Sequence, residues 1–270
     1  MDLAGRVVVV TGGAGGIGAA LARRFATEGA HAVVIADLDG DAAARITAEI
    51  GPTALGRDVD VTDPAQVRAL VADVEQRYGR IDLFCANAGI TTGVGLDASD
   101  ADWDRAWRVN LLAHVHAARA VLPGMLDRGG GYLLQTCSAA GLLTAVGDAP
   151  YTVTKHGAVA FAEWLAVTYG DRGIRVSALC PQGVDTRMLH DGLAAAHPGA
   201  LITAASGPVL SPEQVAQAVV DGLADERFLI LPHPEVAGYV RRKAADPDGW
   251  LAGMRRAAGR LPGVPRQPAG

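Results

Sequence analysis

Short, almost uninterrupted apolar runs recur along this chain, separated by longer stretches in which apolar residues return every three or four positions. The runs fall at residues 6–10, 31–36, 54–58, 81–86, 132–136, 175–179 and 228–231. A strand that is apolar on both faces has to be covered on both faces, as in a parallel sheet between two helical layers. The stretches at 17–28, 64–78, 102–125, 150–169 and 212–223 have the spacing of helices that bury one side. Pro64, Pro150 and Pro212 stand at or beside their starts, where a missing N–H costs nothing. This alternation predicts an α/β chain with a doubly wound, seven-stranded parallel sheet flanked by helices.

Two stretches break the rhythm. Residues 186–211 are long, rich in Ala, Gly and Leu, and predict a lid over a site. Beyond residue 232 the pattern predicts short helices at 236–245 and 249–260, and then a disordered tail over 263–270. The expected organisation is one domain over 1–262 that includes the lid.

Composition narrows the functional classes. A length of 270 residues suits one large α/β domain, and 50% hydrophobic against 20% charged residues supports a sizeable core. The net charge of -5 counts against a nucleic-acid partner. No apolar run reaches membrane-spanning length, and the first residues lack a signal-peptide pattern. Cys85, Cys137 and Cys180 are widely spaced without metal-ligand spacing. They read as buried free thiols, so a cytoplasmic setting without a metal is expected.

Directly after the first run comes Thr11-Gly12-Gly13-Ala14-Gly15-Gly16-Ile17-Gly18, opening a predicted helix. Glycines in such a turn let a pyrophosphate approach the free N–H groups of the helix start. Asp37 ends the second run at the distance where a carboxylate accepts the ribose hydroxyls of a dinucleotide. It would repel a 2′-phosphate, and no Arg or Lys stands at 38–40 or within the turn, which favours NAD over NADP. The plainer alternative is that Asp37 opens a turn with Asp39 and Gly40.

Further along come Asn87-Ala88-Gly89, Asn110, Ser138 and, thirteen residues later, Tyr151 with Lys155. The Thr-Gly-x3-Gly-x-Gly turn taken together with these residues resembles the short-chain dehydrogenase/reductase family, over roughly residues 3 to 232. The resemblance implies a single NAD-binding Rossmann domain and an NAD-dependent oxidoreductase of alcohols or ketones. By position it implies cofactor contacts at Gly12, Gly16, Ile17, Gly18, Asp37, Leu38, Asp60, Val61, Asn87, Ala88 and Gly89. Tyr151, Lys155, Pro181, Val184 and Thr186 follow at the nicotinamide end. Asp58-Val59 repeats the dipeptide of Asp60-Val61, which leaves that register open. Gln182 departs from the family pattern, where a glycine is usual. Asn110 is implied to hold a water linking Lys155 to solvent; the alternative is a helix-kink residue that satisfies its own backbone.

Tyr151 and Lys155 lie four apart, so on a helix both face one pocket. A free tyrosine ionises near pH 10. A lysine ammonium about 4 Å away would favour the phenolate by roughly 4 kcal/mol at an effective dielectric near 20, and a cationic nicotinamide would add to this. Tyr151 is thus expected to transfer the proton, Ser138 to hydrogen-bond the same oxygen, and Lys155 to tune the tyrosine. A second Tyr-x3-Lys, Tyr239 and Lys243, has Glu226 where the first has its serine. It reads as a solvated surface pair.

The segments 90–96, 139–150 and 186–211 should surround the reacting carbon. Leu142, Leu143, Val146, Met188 and Leu189 suggest a neutral, apolar secondary alcohol or ketone as the small-molecule partner. Arg187 and His190 suit a solvated lid face. The rival class is a protein that binds NAD without turnover, which would need only the first half of the sheet. A homo-oligomer, tetramer or dimer, is implied by the family through the helices of Asn110 and Tyr151, where Gly157, Ala158 and Ala162 permit close packing.

Overall fold

The computed structural model describes residues 1–260, so the tail expected from 263 onward lies outside the described residues. The first run becomes β1 (Val7–Thr11), five buried residues whose side chains alternate between two apolar cores. It is followed by β2 (Ala32–Asp37), β3 (Ala54–Asp58), β4 (Leu83–Ala86), β5 (Gly131–Thr136), β6 (Ile174–Leu179) and β7 (Leu229–Ile230). All pair in parallel, in the order β3-β2-β1-β4-β5-β6-β7. The edge strand β3 is only half-buried and so escapes the double covering expected of every strand.

The helices α1 (Gly16–Thr27), α2 (Gly40–Ile50) and, later, α9 (Pro212–Ala224) cover the face that receives Val8 and Val10. The opposite face, with Val7 and Val9, is covered by α3 (Pro64–Tyr78), α5 (Ala113–Asp127) and α6 (Ala149–Tyr169). The sequence pattern did not predict α2. Its signal was a cap: the Asp39 carboxylate accepts the Ala42 N–H at 2.8 Å, and only Ala43 and Ile46 are buried behind it. The helix expected over 102–125 is α4 (Asp100–Trp107) and α5, joined by a π-helical turn, Arg108–Leu112, which carries Asn110. A serine capping box, Ser99 with Asp102, starts α4.

Residues 186–211 are not one loop. They hold α7 (Arg187–Ala194) and α8 (Pro198–Ala205), with a return leg in which Leu210 bridges to Val184. After β7, α10 (Glu235–Ala245) and α11 (Pro247–Ala258) form a hairpin close to the two helices expected there. No helix among the described residues is long and apolar enough to cross a membrane.

The winding reverses between β1 and β4, and the loops leaving their carboxyl ends diverge there to open a crevice. Asp82 pins this junction. Its buried carboxylate accepts the Val7 N–H at 2.9 Å and pairs with Arg6 and Arg80. Replacing Asp82 with Ala leaves a buried N–H unpaired beside two half-exposed arginines. The expected loss is about 2 kcal/mol of stability, read by thermal or urea unfolding.

Candidate active site

The crevice is a cavity of about 800 Å³. One end is built on the turn after β1. Gly12 has φ +59°, and a Cβ there would stand 2.8 Å from the Ala88 Cα. Gly18 is buried in α1, where a Cβ would fall 2.0 Å from the Gly12 carbonyl oxygen. Gly18 therefore acts by close packing and does not border the cavity, whereas Gly12, Gly16 and Ile17 do. Asn87 staples the turn, donating from Nδ2 to the Thr11 and Gly12 carbonyls at 3.0 and 3.2 Å.

These residues fit a dinucleotide. α1 begins without a capping side chain at Gly15 and without an acid in its first turn, so its leading N–H groups are free for a diphosphate. A Cβ at Gly15 would meet nothing within 4 Å, which leaves room above the helix start. Asp37 faces the cavity and accepts the Ala14 N–H at 2.9 Å and the Asp39 N–H at 3.1 Å. Each oxygen retains a lone pair for a ribose hydroxyl. Leu38, Val59, Asp60 and Val61 border the same end, while Asp58 closes β3 opposite Asp37. Of the doubled Asp-Val, Val59, Asp60 and Val61 border the cavity and Asp58 does not.

Ser138, Tyr151 and Lys155 converge on the cavity floor. Ser138 follows β5, where its hydroxyl accepts the Ala140 N–H at 3.1 Å. Tyr151 and Lys155 project from the first turns of α6, as their spacing predicts. Lys155 Nζ is buried, donates to the Thr136 carbonyl at 2.9 Å and lies 5.8 Å from the Tyr151 ring centre. Burial lowers the lysine pKa.

The tyrosine ionises differently from the expectation. Burial outweighs the Ser138 hydroxyl, and Asp148 opposes the phenolate further, so the Tyr151 pKa is pushed up to about 12. The reason is geometric. Lys155 directs its ammonium at the Thr136 carbonyl oxygen, and the desolvation of the phenol prevails.

Asn110 lies behind the cavity wall. Its Oδ1 accepts the Ile90 N–H at 2.8 Å, and its Nδ2 donates to the Ile90 carbonyl at 2.9 Å and to Thr154 Oγ1 at 3.2 Å. A Cβ at Gly89 would stand 3.3 Å from Lys155 Nζ and 3.4 Å from Asn110 Oδ1, so the two groups flank the same glycine. His114, buried against Gln135, is pushed down to about 3 by desolvation and stays neutral. The neighbouring Cys180 thiol and burial raise the Cys137 pKa, which holds that thiol protonated.

One residue at the site, Asp148, is not among those the motifs singled out. Asp148 caps α6: its Oδ1 accepts the Tyr151 N–H at 2.9 Å and the Thr92 hydroxyl at 2.7 Å. Its Oδ2 accepts the N–H groups of Thr92 and Gly93 at 2.9 and 2.7 Å. One buried carboxylate thus ties the 90–95 loop to the helix of Tyr151. An acid three residues before the tyrosine, at a helix start, was the readable clue.

The lid and the C-terminal hairpin supply the remaining wall. Leu143, Met188 and Leu189 border the cavity as expected, but Leu142 and Val146 do not, since Leu142 packs against α10. Arg187 and His190 pair with Asp191 and Asp185 on the exposed face of α7. Tyr239 and Lys243 are not on a solvated face. Lys243 Nζ donates to the Leu142 and Leu143 carbonyls at 2.8 and 2.9 Å, and the Tyr239 hydroxyl donates to the Ser206 carbonyl at 3.3 Å. Tyr239 lines the cavity with Trp250, Met254 and Ala257, because the hairpin folds back over the loop after Ser138.

Comparison with known proteins places these features. The family described as short chain dehydrogenase matches residues 6–196. A 1-deoxy-11-beta-hydroxypentalenate dehydrogenase of Streptomyces exfoliatus is 38% identical over 255 residues, covering 91% of this chain and 90% of that protein. A 2-(S)-hydroxypropyl-CoM dehydrogenase of Xanthobacter autotrophicus is 34% identical, covering 84% and 93%. An uncharacterized NAD-dependent oxidoreductase of Mycobacterium tuberculosis is also 34% identical, covering 81% and 89%. The crystal structure of a short chain dehydrogenase/reductase from Burkholderia phymatum in complex with NAD superposes with a TM-score of 0.84 at 28% identity, covering 99% of both chains.

The elevated tyrosine has a measurable consequence. Difference titration of the wild type against Tyr151→Phe, without cofactor, isolates one of five tyrosines and should give a midpoint near 12. The unfolded chain ionises first, near pH 10, so the stability held in the neutral phenol is complete below that value and lost as pH rises toward 12. A midpoint at or below about 10 contradicts the burial argument.

Proposed function

Since the chain belongs to the short-chain dehydrogenase family and is an NAD-dependent oxidoreductase, we propose that it acts on a neutral, largely apolar secondary alcohol or ketone, with Tyr151 transferring the proton. The observation that carries this reading is the meeting of Ser138, Tyr151 and Lys155 on the floor of a cavity whose far walls are apolar. Bound NAD supplies the carbon that takes up or gives back the hydride. Tyr151 gives its phenol proton to the substrate oxygen, or takes one from it, and Ser138 hydrogen-bonds that oxygen while its charge changes. Lys155, beside the tyrosine ring, tunes the proton transfer, and Asn110 ties the Ile90 backbone to the π-helical turn that carries it.

The same reading assigns the cofactor contacts. Gly12, Gly16 and Ile17 hold the diphosphate, with Gly18 keeping α1 against the turn. Asp37 and Leu38 hold the adenosine ribose, and Asp60, Val61, Asn87, Ala88 and Gly89 border the adenine side. Pro181, Val184 and Thr186, with Lys155, hold the nicotinamide end.

The substrate class rests on Leu143, Met188, Leu189, Ile202, Trp250 and Met254, which line the cavity while its only Lys and Arg among the described residues are Lys155 and Arg187. The relatives' names identify dehydrogenases of a hydroxypentalenate and of a hydroxypropyl compound, both hydroxyl-bearing. The exposed Trp107 on α4 and Trp164 and Val167 on α6 support a homo-oligomer, tetramer or dimer, joined through these helices. Three buried free thiols support a reducing, cytoplasmic setting.

Tyr151→Phe should cut turnover about a hundredfold or more while NAD still binds, measured by NADH absorbance and by calorimetry. Undiminished turnover would remove Tyr151 from this role, and NAD binding without turnover of any alcohol by the wild type would favour a sensor. Trp250→Ala should raise the KM for a bulky alicyclic alcohol about tenfold and leave the KM for NAD unchanged. Steady-state kinetics with both substrates varied separates the two.

A further inference from the structure

His233 is fully buried just beyond β7, between Pro232 and Pro234, and does not border the cavity. Its ring reaches three backbone groups on two separate segments. Nδ1 accepts the Gln182 N–H at 3.1 Å. On the other edge, Nε2 lies 3.1 Å from the Gly183 carbonyl oxygen and 3.2 Å from that of Pro208. An amide N–H only donates and a carbonyl oxygen only accepts, so the hydrogen sits on Nε2 and the lone pair on Nδ1. The geometry therefore demands a neutral imidazole in one tautomer.

Gln182 and Gly183 belong to the segment that leaves β6 along the cavity, and Pro208 lies on the return leg of the lid. The two segments already pair, with the Leu210 N–H donating to Gly183 at 3.0 Å and the Asp185 N–H to Leu210 at 2.8 Å. His233 adds a rigid cross-link beneath them. A residue before proline is held extended, so Pro234 also restricts the backbone from which the ring projects.

We propose that His233 is a positioning residue: it sets the path of the 181–186 segment, and with it the nicotinamide half of the dinucleotide site, without touching the cofactor. This rests on the reading that Pro181, Val184 and Thr186 hold the nicotinamide end. Gln182, which stands where the family usually has glycine, is the residue whose backbone the ring fixes.

The test compares NAD with ADP-ribose, which keeps the adenosine and diphosphate but lacks nicotinamide. By calorimetry, His233→Phe should weaken NAD roughly tenfold, the equivalent of losing one or two backbone hydrogen bonds, and leave ADP-ribose affinity unchanged. His233→Gln, which keeps one donor and one acceptor, should recover part of the loss. Unchanged NAD affinity in His233→Phe, or equal losses for both ligands, overturns the proposal. Thr186→Ala is the control for the underlying reading. If it separates NAD from ADP-ribose and His233→Phe does not, only the role of His233 fails; if neither does, the nicotinamide placement fails too. Should His233→Phe not fold, the imidazole nitrogen shifts of the wild type decide, since a hydrogen on Nδ1 is incompatible with the Gln182 contact.

Discussion

Parallel strands need crossovers that return over one face of the sheet, and here the chain winds outward from β1 to β3 on one side and from β4 to β7 on the other. The loops after β1 and β4 are forced apart at their carboxyl ends, and the gap between them is the one place where groups from many strands meet without filling the space. Gly12 from the β1 turn, Asn87 after β4, Ser138 after β5 and Val184 after β6 all reach it because their strands end in the same layer. The buried Asp82 matters out of proportion to its size, since it locks the start of β1 to the start of β4 and so sets where both strands end.

Burial governs the chemistry on the cavity floor. The phenol of Tyr151 and the ammonium of Lys155 are both withdrawn from water, and each is pushed toward its neutral form. Asp148 opposes a phenolate, yet its four hydrogen bonds hold the 90–95 loop and the helix start together. Structure and reactivity pull against one another at this carboxylate. The structural role prevails, and the Tyr151 pKa is raised.

The apolar part of the cavity is assembled from the end of the chain. Lys243 caps the carbonyls of Leu142 and Leu143, so α10 is bound to the loop that follows Ser138, and α11 places Trp250 and Met254 opposite the lid. The wall of this space comes from the lid, the loop after Ser138 and the C-terminal hairpin together. Its shape is set by segments far from the reacting groups in sequence.

The features legible in the sequence are those whose physics is local. A strand-to-helix turn needs its glycines within a few residues, a helix aligns Tyr151 with Lys155 one turn away, and Asp37 closes the strand after the turn. The sheet was legible for the same reason, because each buried strand is a continuous apolar run. The π-helical turn, the short α2 and the helices of the lid were not, since each rests on caps or tertiary contacts stronger than its own pattern. The second Tyr-x3-Lys pair marks the boundary. Local spacing could not reveal that Lys243 reaches the Leu142 carbonyl 101 residues away, that Lys155 donates to Thr136, or that burial raises the Tyr151 pKa. The sequence by itself determined which residues line up along each strand and helix. Only the tertiary structure decided how deeply each is buried and what its polar atoms meet, because desolvation and hydrogen-bond partners arise from segments brought together by folding.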